Sequence, residues 1–598
     1  MTAVAQREVE RKYEFPEGAE ARVDWSGLEG GTVSADPVEH RMEAVYHDTP
    51  DMALGRRLVA LRRRRGGADD GWHVKFDGPG GRHELQVPLL RTPDRMPASV
   101  RNLLAGLTGG QELRPVATLR TVRQVRMISD STGAEVAELA VDVVDAVDER
   151  TGTARSWSEW EVEILDGTVP EERQEQIFAA VEAVVLAAGG KPSTSRAKIA
   201  RALGEEDGDT PVEAAPTQQK QGKKGKQGEK AENAGQKGKK DQKTGKKKDE
   251  DTGKKSKKRN GKKNGKKKGK KAGGEPGPEV LRAVLGELAE QLVLWDFKVR
   301  LDVPDAVHQM RVTSRSLRSV LKAAAPLLDG EAAEELDARL RRLARALSGA
   351  RDAEVTAELL AGRVAELDGR VEPAAAESLQ RRAEEQARTA AGRVRRQVTG
   401  QEHLRLLADV QDFAAAPPVT EDCARLSGRE VSDALVHRAL GKVVRVAERV
   451  ADAEQDGGTE QAGGKEQAGG TEQAGGTEQD GETGGQQRLE HLHDVRKAVK
   501  RVRYVDAVLD RTGMRPGKQL RRAARDAEDY QDELGRIMDA AVLERWLADT
   551  ARALRRTGED RYAVGALHGA EVARLHAGTD GGADVVGVLL SQLREDLA

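Results

Sequence analysis

The 598-residue sequence predicts a multidomain protein in which an antiparallel β-barrel precedes an all-α domain. In residues 1–204, short runs of alternating apolar and charged residues are separated by Gly and Pro, as in antiparallel strands. From residue 275 onwards, Ala, Leu, Arg and Glu recur at helical spacing. Residues 205–274 contain almost no apolar side chains, so they cannot bury a core and are predicted to form a disordered Lys-rich linker.

Charge is distributed unevenly along the chain. The formal net charge is only −2, yet residues 220–271 contain 23 Lys, one Arg and six acidic residues. A linker of this kind can make non-specific contacts with any polyanion, including nucleic acid. Aromatic residues make up only 3% of the chain, however, and offer few surfaces for base stacking.

Composition also indicates a compartment. The single cysteine, Cys423, excludes an internal disulfide and fits a reducing environment. The N-terminal residues are charged and lack the apolar segment of a secretion signal. No apolar run reaches the roughly 18 residues that a membrane-spanning helix needs. The expectation is a cytoplasmic protein with no membrane contact.

The clearest strand patterns carry charges on one face. The predicted strands at 7–15 and 157–165 each carry three Glu residues of one parity, whereas the segments at 59–65, 72–76 and 82–89 are basic or mixed. Facing rows of carboxylates repel unless a cation lies between them, and clustered oxygen ligands suit Mg²⁺ or Mn²⁺. Interspersed Arg and Lys suit phosphate oxygens. Any single strand could equally be the solvated face of a sheet, but the combination favours a closed barrel with a charged lumen.

Short motifs in this region resemble those of the CYTH family, the triphosphate tunnel metalloenzymes. The segment EVERK at 8–12 is similar to the E-x-E-x-K signature, and YHDT at 46–49, LRRR at 61–64, RTVR at 120–123 and WSEWEVE at 157–163 follow in the family's order. The resemblance implies an eight-stranded antiparallel tunnel over residues 1–204 that binds a triphosphate end. Arg120 and Arg123 are three residues apart, so they point to opposite faces of a regular strand. Both can face the lumen only if a bulge or a strand end lies between them.

The same resemblance implies roles for individual residues. The implied ligands for divalent metal are Glu8, Glu10, Asp142, Glu161 and Glu163, with Glu138 and Glu159 as further candidates. The implied ligands for phosphate are Lys12, Arg62, Arg64, Lys75, Arg120, Arg123 and Lys198. The implied catalytic residues are Glu8, Glu10, Lys12 and Lys75.

A basic pattern occurs twice in the predicted helical region. HQMRVTSRSLR, beginning at His308, and HDVRKAVKRVR, beginning at His493, both read H-x2-R-x3-[RK]-x2-R. At about 100° per residue, these positions fall within an arc of about 80°. One such stripe could be a solvated helix face, but two stripes that face each other would form a groove for a multiply charged anion. TEQAGG-like repeats between the copies predict a flexible, disordered insertion over residues 453–486.

The helical region resembles the CHAD domain, on the evidence of AVHQMRVTSRSLR, GARDAEV, LHDVRKAVKRVRY and QDELGRIMDA. The resemblance implies two pseudo-symmetric helical bundles over residues 275–598 that bind inorganic polyphosphate without chemistry. The implied polyphosphate-binding residues are His308, Arg311, Arg315, Arg318, Arg351, His493, Arg496, Lys497, Lys500 and Arg503.

The sequence therefore favours a metal-dependent triphosphatase whose helical domain captures polyphosphate. Two alternatives remain open: a non-catalytic polyphosphate-binding or targeting protein, and a CYTH enzyme with adenylate cyclase chemistry. Tripolyphosphate, thiamine triphosphate, a nucleoside triphosphate and long polyphosphate have similar termini, so the substrate is not fixed by these residues.

Overall fold

The computed structural model describes residues 5–15, 23–67, 69–78, 81–193, 197–205, 274–367, 369–463, 477–557 and 561–597. Almost all of the predicted linker at 205–274 lies outside the described residues.

The N-terminal region forms one curled antiparallel sheet. Its strands are β1 (Ala5–Glu8), β2 (Glu10–Glu14), β3 (Gly31–Val33), β4 (Val38–Asp48), β5 (Ala60–Arg65), β6 (Gly71–Gly78), β7 (Gly81–Val87), β8 (Arg114–Asp130), β9 (Glu135–Asp148), β10 (Thr153–Ile164) and β11 (Lys191–Pro192). The main path runs β1-β7-β6-β5-β4-β8-β9-β10-β2-β11, and β3 pairs with β8.

The sheet closes because β1 and β2 are two halves of one bent strand. The first half pairs with β7 and the second half pairs with β10, so both ends of the path meet in residues 5–14. Between the halves, the Val9 carbonyl oxygen accepts a hydrogen bond from the Ile164 amide at 2.9 Å. Counting the bent strand once gives eight long strands around the ring, which confirms the antiparallel β fold predicted for this region.

Three helices accompany the barrel: α1 (Ala98–Thr108), α2 (Glu171–Ala187) and α3 (Lys198–Leu203). Helix α2 covers outward-facing residues of β2, β9 and β10, where Tyr13, Leu139 and Val162 form a core with Phe178 and Val181. The residues that alternate with these three must therefore face the lumen. The α2 bounds agree closely with the helix that sequence periodicity predicts from residue 171 to 189.

Helix α3 enters one end of the barrel. Its Ala202 and Leu203 pack with inward-facing apolar residues, among them Tyr46, Leu119 and Trp157. These residues form an apolar layer at that end, because each lies on the inward parity of its strand. Charged side chains occupy the next inward-facing positions along these strands, further from α3.

The C-terminal region is helical, as predicted. Its helices are α4 (Gly277–Arg300), α5 (Ala306–Ala323), α6 (Gly330–Glu366), α7 (Pro373–Val398), α8 (Gln401–Ala415), α9 (Glu421–Arg425), α10 (Gly428–Gly463), α11 (Thr477–Arg511), α12 (Lys518–Asp529), α13 (Gln531–Thr557) and α14 (Tyr562–Leu597). Their buried faces are rich in Leu, Val and Ala, which pack closely between the helices, and Leu and Ala also favour the helical conformation.

The predicted insertion at 453–486 is helical at both of its ends. Helix α10 continues to Gly463 and α11 begins at Thr477, while residues 464–476 lie outside the described residues. The repeats contain Ala, Glu and Gln, which are good helix formers, and adjacent helices can extend into them. Gly and polar residues alone were therefore not enough to place the helix ends.

Barrel and helical domain share one apolar core, which the sequence did not predict. The outward-facing Trp72, Val74 and Phe76 of β6 belong to the same cluster as α1 and the helical domain. Phe76 contacts Phe297 of α4 edge-on, with ring centroids 5.3 Å apart. The Arg57 Nε also lies 2.7 Å from a carboxylate oxygen of Glu290 in α4.

Among the described residues, no helix is both long and apolar enough to span a membrane.

Candidate functional site

A layer of alternating charges lies next to the apolar layer in the lumen. Strand register sets Glu159 opposite Asp142, Asp142 opposite Arg123, and Glu161 opposite Lys12. Asp142, Glu159 and Glu161 are all buried, and oxygen atoms from the three lie within 4.8 Å of one another. This acidic cluster could hold a metal ion.

Three cations already neutralise that acidic cluster. The Lys198 Nζ of α3 lies 3.0 Å from Asp142, 2.6 Å from Glu159 and 2.7 Å from Glu161. The Arg123 guanidinium donates two hydrogen bonds of 2.7 Å to Asp142 and one of 2.5 Å to Glu161. Lys12 donates a short hydrogen bond to Glu161. A metal ion that bound here would have to displace some of these contacts.

A second row of carboxylates lies one step further from α3. Glu163 is directly opposite Glu10 on one side and Glu138 on the other. Burial raises the pKa of Glu163, and the carboxylates of Glu10 and Glu138 raise it further, although Lys75 opposes them. The nearest cations are weakly engaged, since Lys12 lies 3.3 Å from Glu10 and Arg123 lies 3.9 Å from Glu138. We call Glu10, Glu138 and Glu163 the carboxylate row.

Glu8 lies beside the carboxylate row and is unusually easy to protonate. Burial raises its pKa to about 7, Lys75 opposes the rise, and Glu84 adds to it. The Lys75 Nζ donates to Glu8 at 2.5 Å and lies 3.5 Å from Glu84. Burial opposes ionisation of Glu84, but His73, Lys75 and Arg62 together lower its pKa, so Glu8 is the member of this pair that takes up a proton.

Two lumen residues escaped the sequence reasoning as site residues. His73 is buried, and its Nδ1 lies 2.8 Å from a Glu84 oxygen while its Nε2 lies 2.9 Å from the Asp69 carbonyl oxygen. Burial lowers the pKa of His73 to about 4, so it is neutral at pH 7. His73 shares parity with Lys75, and Glu84, the second of these residues, shares parity with Arg82, so alternation was the available signal.

Some of the predicted phosphate ligands face the lumen, whereas Arg120 faces outwards. Arg62 lines the lumen, where its Nη2 donates to Glu84 at 3.2 Å, and Arg64 pairs with Asp69. Arg120 is a correction to the expected set, because its side chain is 72% exposed on the outer face beside Glu43. The register of β8 with β9 shifts only between Ile128 and Ser129, so no bulge brings Arg120 to the parity of Arg123.

In the helical domain, the two basic stripes lie on α5 and α11, which pack against each other. Burial lowers the pKa values of Arg311, Arg496 and Lys500, and the charges of nearby cations of the two stripes lower them further. Five cations therefore lie close together: Arg311, Arg315, Arg496, Lys500 and Arg503. We call these five residues the central cluster.

The five cations of the central cluster have two carboxylates close to them, Asp352 near Arg311 and Asp539 near Arg496. Burial lowers the pKa of Lys500 to about 7, with Arg496, Arg311 and Arg315 contributing in that order. The buried Nε atoms of Arg315 and Arg496 have no hydrogen-bond partner among the described residues. Mutual repulsion and unused donors are the properties expected of a site for a multiply charged anion.

The remaining predicted helical residues have other partners. Arg318 donates to Asp337 at 2.8 Å, Arg351 donates to Glu354 and Glu358 at 3.0–3.2 Å, and Lys497 donates to Asp494 at 3.1 Å. The His493 Nδ1 lies 3.1 Å from the Met538 sulfur. Burial, together with Arg351, lowers the pKa of His308, whose buried Nδ1 has no partner in the described part of the chain. These residues flank the central cluster without joining it.

Comparison with known proteins identifies both regions. Residues 6–183 match the CYTH domain and residues 283–548 match the CHAD domain. The chain is therefore a two-domain protein in which a CYTH domain precedes a CHAD domain, as the sequence motifs predicted. CYTH domains are metal-dependent triphosphate tunnel enzymes.

The individual proteins that resemble this chain have low sequence identity to it. The uncharacterized protein Rv2226 of Mycobacterium tuberculosis is 27% identical over 580 residues, which cover 94% of this chain and 92% of that protein. The CHAD domain structure from Ricinus communis is 20% identical over 51% of this chain and 92% of that chain, with a TM-score of 0.36. A structure from Hippeastrum, described as a putative adenylyl cyclase with a dominant triphosphatase activity, is 18% identical over 32% of this chain and 94% of that chain, with a TM-score of 0.22.

Proposed function

We propose that this protein is a metal-dependent triphosphatase that acts in the CYTH lumen on a triphosphate or polyphosphate end, and that its CHAD domain binds polyphosphate. The observation that carries the first part is the carboxylate row. It places three acids side by side in the lumen, with Glu8 adjacent and cations on both sides. The carboxylates repel one another, and a divalent cation bound between them would relieve that repulsion. A phosphate chain would pair with the cations on both sides.

The residues fit Mg²⁺ or Mn²⁺. All the acids involved offer hard oxygen ligands. Burial raises the pKa values of Glu8 and Glu163, and nearby carboxylates raise them further although Lys75 opposes the rise. Glu8, Glu10, Glu138 and Glu163 would hold the cation. Asp142, Glu159 and Glu161 are the second candidate set, although Lys198 and Arg123 occupy their oxygens. When bound, the metal would neutralise charge on the phosphoryl group.

The chain's cations would position the substrate. Arg62, Arg64 and Lys75 line the lumen on one side of the carboxylate row, and Lys12, Arg123 and Lys198 line it on the other. They could transfer hydrogen bonds from their present carboxylate partners to phosphate oxygens and support charge on the leaving diphosphate. The apolar layer beside α3 limits access from that end, which favours entry of a chain by its terminus.

The test is phosphate release from tripolyphosphate with Mg²⁺ or Mn²⁺. Glu10→Gln removes one charge from the carboxylate row with little change of shape, and we expect release to fall by at least about 100-fold. Glu39→Gln is the matched control, because the same change falls on an exposed side chain of β4. Equal activity of Glu10→Gln and wild type would contradict the proposal. Conversion of ATP to cyclic AMP in place of phosphate release would favour the cyclase alternative.

The central cluster supports the polyphosphate-binding part. Arg315→Gln should weaken binding of long-chain polyphosphate by about tenfold and lower its dependence on salt, because one released counterion is lost. Arg552→Gln is the matched control, since that side chain is 72% exposed and pairs with Asp549 on the surface. Point variants are preferable to removing the CHAD domain, because truncation would expose Trp72 and Phe76 of the shared core.

A further inference from the structure

A second basic feature of the helical domain lies beside the central cluster. A cavity of about 780 Å³ opens between α5, α6, α10 and α11. Its wall contains eight Lys and Arg side chains against two acids, Glu334 and Asp337. Six of the cations come from two helices: Arg341, Arg342 and Arg345 of α6, and Arg438, Lys442 and Arg445 of α10.

Helical spacing explains why these cations meet. Arg438, Lys442 and Arg445 are separated by four and three residues, so they share one face of α10. Arg341 and Arg345 are likewise one turn apart on α6. Both faces line the same cavity, so cations from the two helices surround one space. Like charges at such spacing destabilise a helix slightly, and a bound polyanion would relieve that repulsion.

The acids do not neutralise this space. Asp337 already accepts from Arg318 at 2.8 Å, while Lys322 and Arg341 lie 3.7 and 3.9 Å from its second oxygen. Burial lowers the pKa of Lys442, and Arg449, Arg501 and Arg445 lower it further. Arg342 also lies 3.7 Å from Glu402, which is outside the cavity lining. With eight cations against the two acids of the lining, the cavity keeps an excess of positive charge.

Cations connect this cavity to the central cluster. Arg318 ends the first basic stripe, and Lys322, one turn further along α5, lines the cavity. On α11, Lys500 belongs to the central cluster and the next residue, Arg501, lines the cavity. Burial lowers the pKa of Arg501, and the charge of Arg318 adds to this effect, which shows that the two are close. A track of positive charge thus continues from the central cluster into the cavity.

The lining also restricts the kind of anion. Its uncharged residues are Gly, Leu and Ala, and it contains no aromatic side chain on which a nucleic-acid base could stack. A volume of about 780 Å³ is far more than one phosphate ion fills, and it lies within the roughly 300–1,000 Å³ that is usual for ligand sites. A flexible chain of phosphates without bases fits both properties.

We propose that this cavity is a second binding site for linear polyphosphate, occupied by the part of a chain that extends beyond the central cluster. The inference rests on the proposed polyphosphate binding by the CHAD domain and adds a dependence on chain length. A chain long enough to reach both sites binds more tightly than a short one, because the second contact is intramolecular. Tripolyphosphate is too short to gain from it.

The experiment uses the full-length protein with three cations of the cavity removed together: Arg438→Gln, Lys442→Gln and Arg445→Gln. The matched control removes three surface charges of similar kind with Arg388→Gln, Arg425→Gln and Arg552→Gln, whose side chains are 70–72% exposed. Binding of long-chain polyphosphate and of tripolyphosphate is measured for both variants at several salt concentrations. Phosphate release from tripolyphosphate is measured alongside as a check on the tunnel.

For the cavity variant, we expect long-chain affinity to fall by about tenfold or more, and the slope of log affinity against log salt to become shallower by about 2. Tripolyphosphate binding and phosphate release should match wild type. If long-chain affinity equals that of the control variant, the cavity proposal is wrong while polyphosphate binding by the domain stands. If wild type does not bind long chains at all, both proposals are wrong.

Two further outcomes would also overturn the cavity site. Equal weakening of tripolyphosphate and long-chain binding would mean that the cavity holds a short anion, not the continuation of a chain. Full competition by a single-stranded oligonucleotide of equal charge, lost in the cavity variant, would assign the cavity to nucleic acid instead.

Discussion

Lys500 is the residue at which the charge imbalance of the central cluster can be measured directly. It lies on α11 among Arg496, Arg311 and Arg315, and burial together with these neighbours lowers its pKa from 10.5 to about 7. The substitution Lys500→Gln removes this charge and keeps a polar side chain of similar length. We expect the variant to be more stable than wild type at acidic pH, although it loses a ligand for polyphosphate.

The size and sign of the effect follow from the pKa shift. The change from 10.5 to about 7 corresponds to an upper limit of about 5 kcal/mol, which water and salt reduce to an expected ~1–3 kcal/mol. Below pH 7, Lys500 is charged in both the folded and the unfolded state, so the folded protein bears the whole repulsion. Above pH 7 the folded state releases the proton first, and the penalty decreases until the unfolded state also releases it near 10.5.

The assay is thermal unfolding of wild type and Lys500→Gln in the absence of polyphosphate, at pH about 6 and about 9. We expect the midpoint of Lys500→Gln to exceed that of wild type at the lower pH, and the difference to shrink at the higher pH. Lys518→Gln is the control, because Lys518 is an exposed lysine at the start of α12. A variant that is less stable than wild type at both pH values would refute the repulsion argument.

Two further predictions concern the barrel. Because the pKa of Glu8 is about 7, protonation of Glu8 should compete with metal binding below pH 7. Metal affinity measured by calorimetry should then fall by up to about tenfold for each pH unit below 7, and Glu8→Gln should reduce this dependence. A metal affinity that does not change with pH would exclude Glu8 as a ligand. At the domain interface, a Cβ added to Gly106 of α1 would lie 2.3 Å from Oδ2 of Asp296. Arg300 donates to this oxygen and His403 contacts the other oxygen of the same carboxylate, so the side chain is held in place. Gly106→Ala should therefore lower the free energy of unfolding by ~1–3 kcal/mol, and with it the thermal midpoint. Gly349→Ala is the control, because its new methyl group meets open space and should be neutral or stabilising. Equal effects of the two substitutions would refute a tight interface.

Alternation along the strands identifies some residues of the site and not others. Alternation was sufficient to put Glu8, Glu10 and Lys12 on one strand face, and the structure pairs Glu10 with Glu163 on the neighbouring strand β10. It was not sufficient for Arg120, because the motif RTVR holds two arginines of opposite parity and only the observed register shows which one faces inwards. His73 and Glu84 were not assigned as site residues, because alternation with Lys75 and Arg82 puts them on one strand face but does not show which face of the sheet turns inwards.

The helical stripes show the same limit. The repeated spacing predicted two cationic helix faces, and α5 and α11 do pack together. Spacing along one helix cannot tell which cations meet across the interface, however. Arg318, the last position of the first stripe, turns to Asp337 and the neighbouring cavity, and the cavity itself is formed by α6 and α10 residues that belong to no motif.

By itself, the sequence determined the class of each domain, their order and the identity of both basic stripes. These features depend on periodicity and local motif spacing, which a linear chain records directly. The tertiary structure decided which carboxylates are paired and which remain unbalanced, because that depends on strand register and on Lys198 arriving from α3. It also decided that barrel and helices share a core at Phe76 and Phe297, since contacts between residues more than 200 positions apart in the chain leave no pattern in a single sequence.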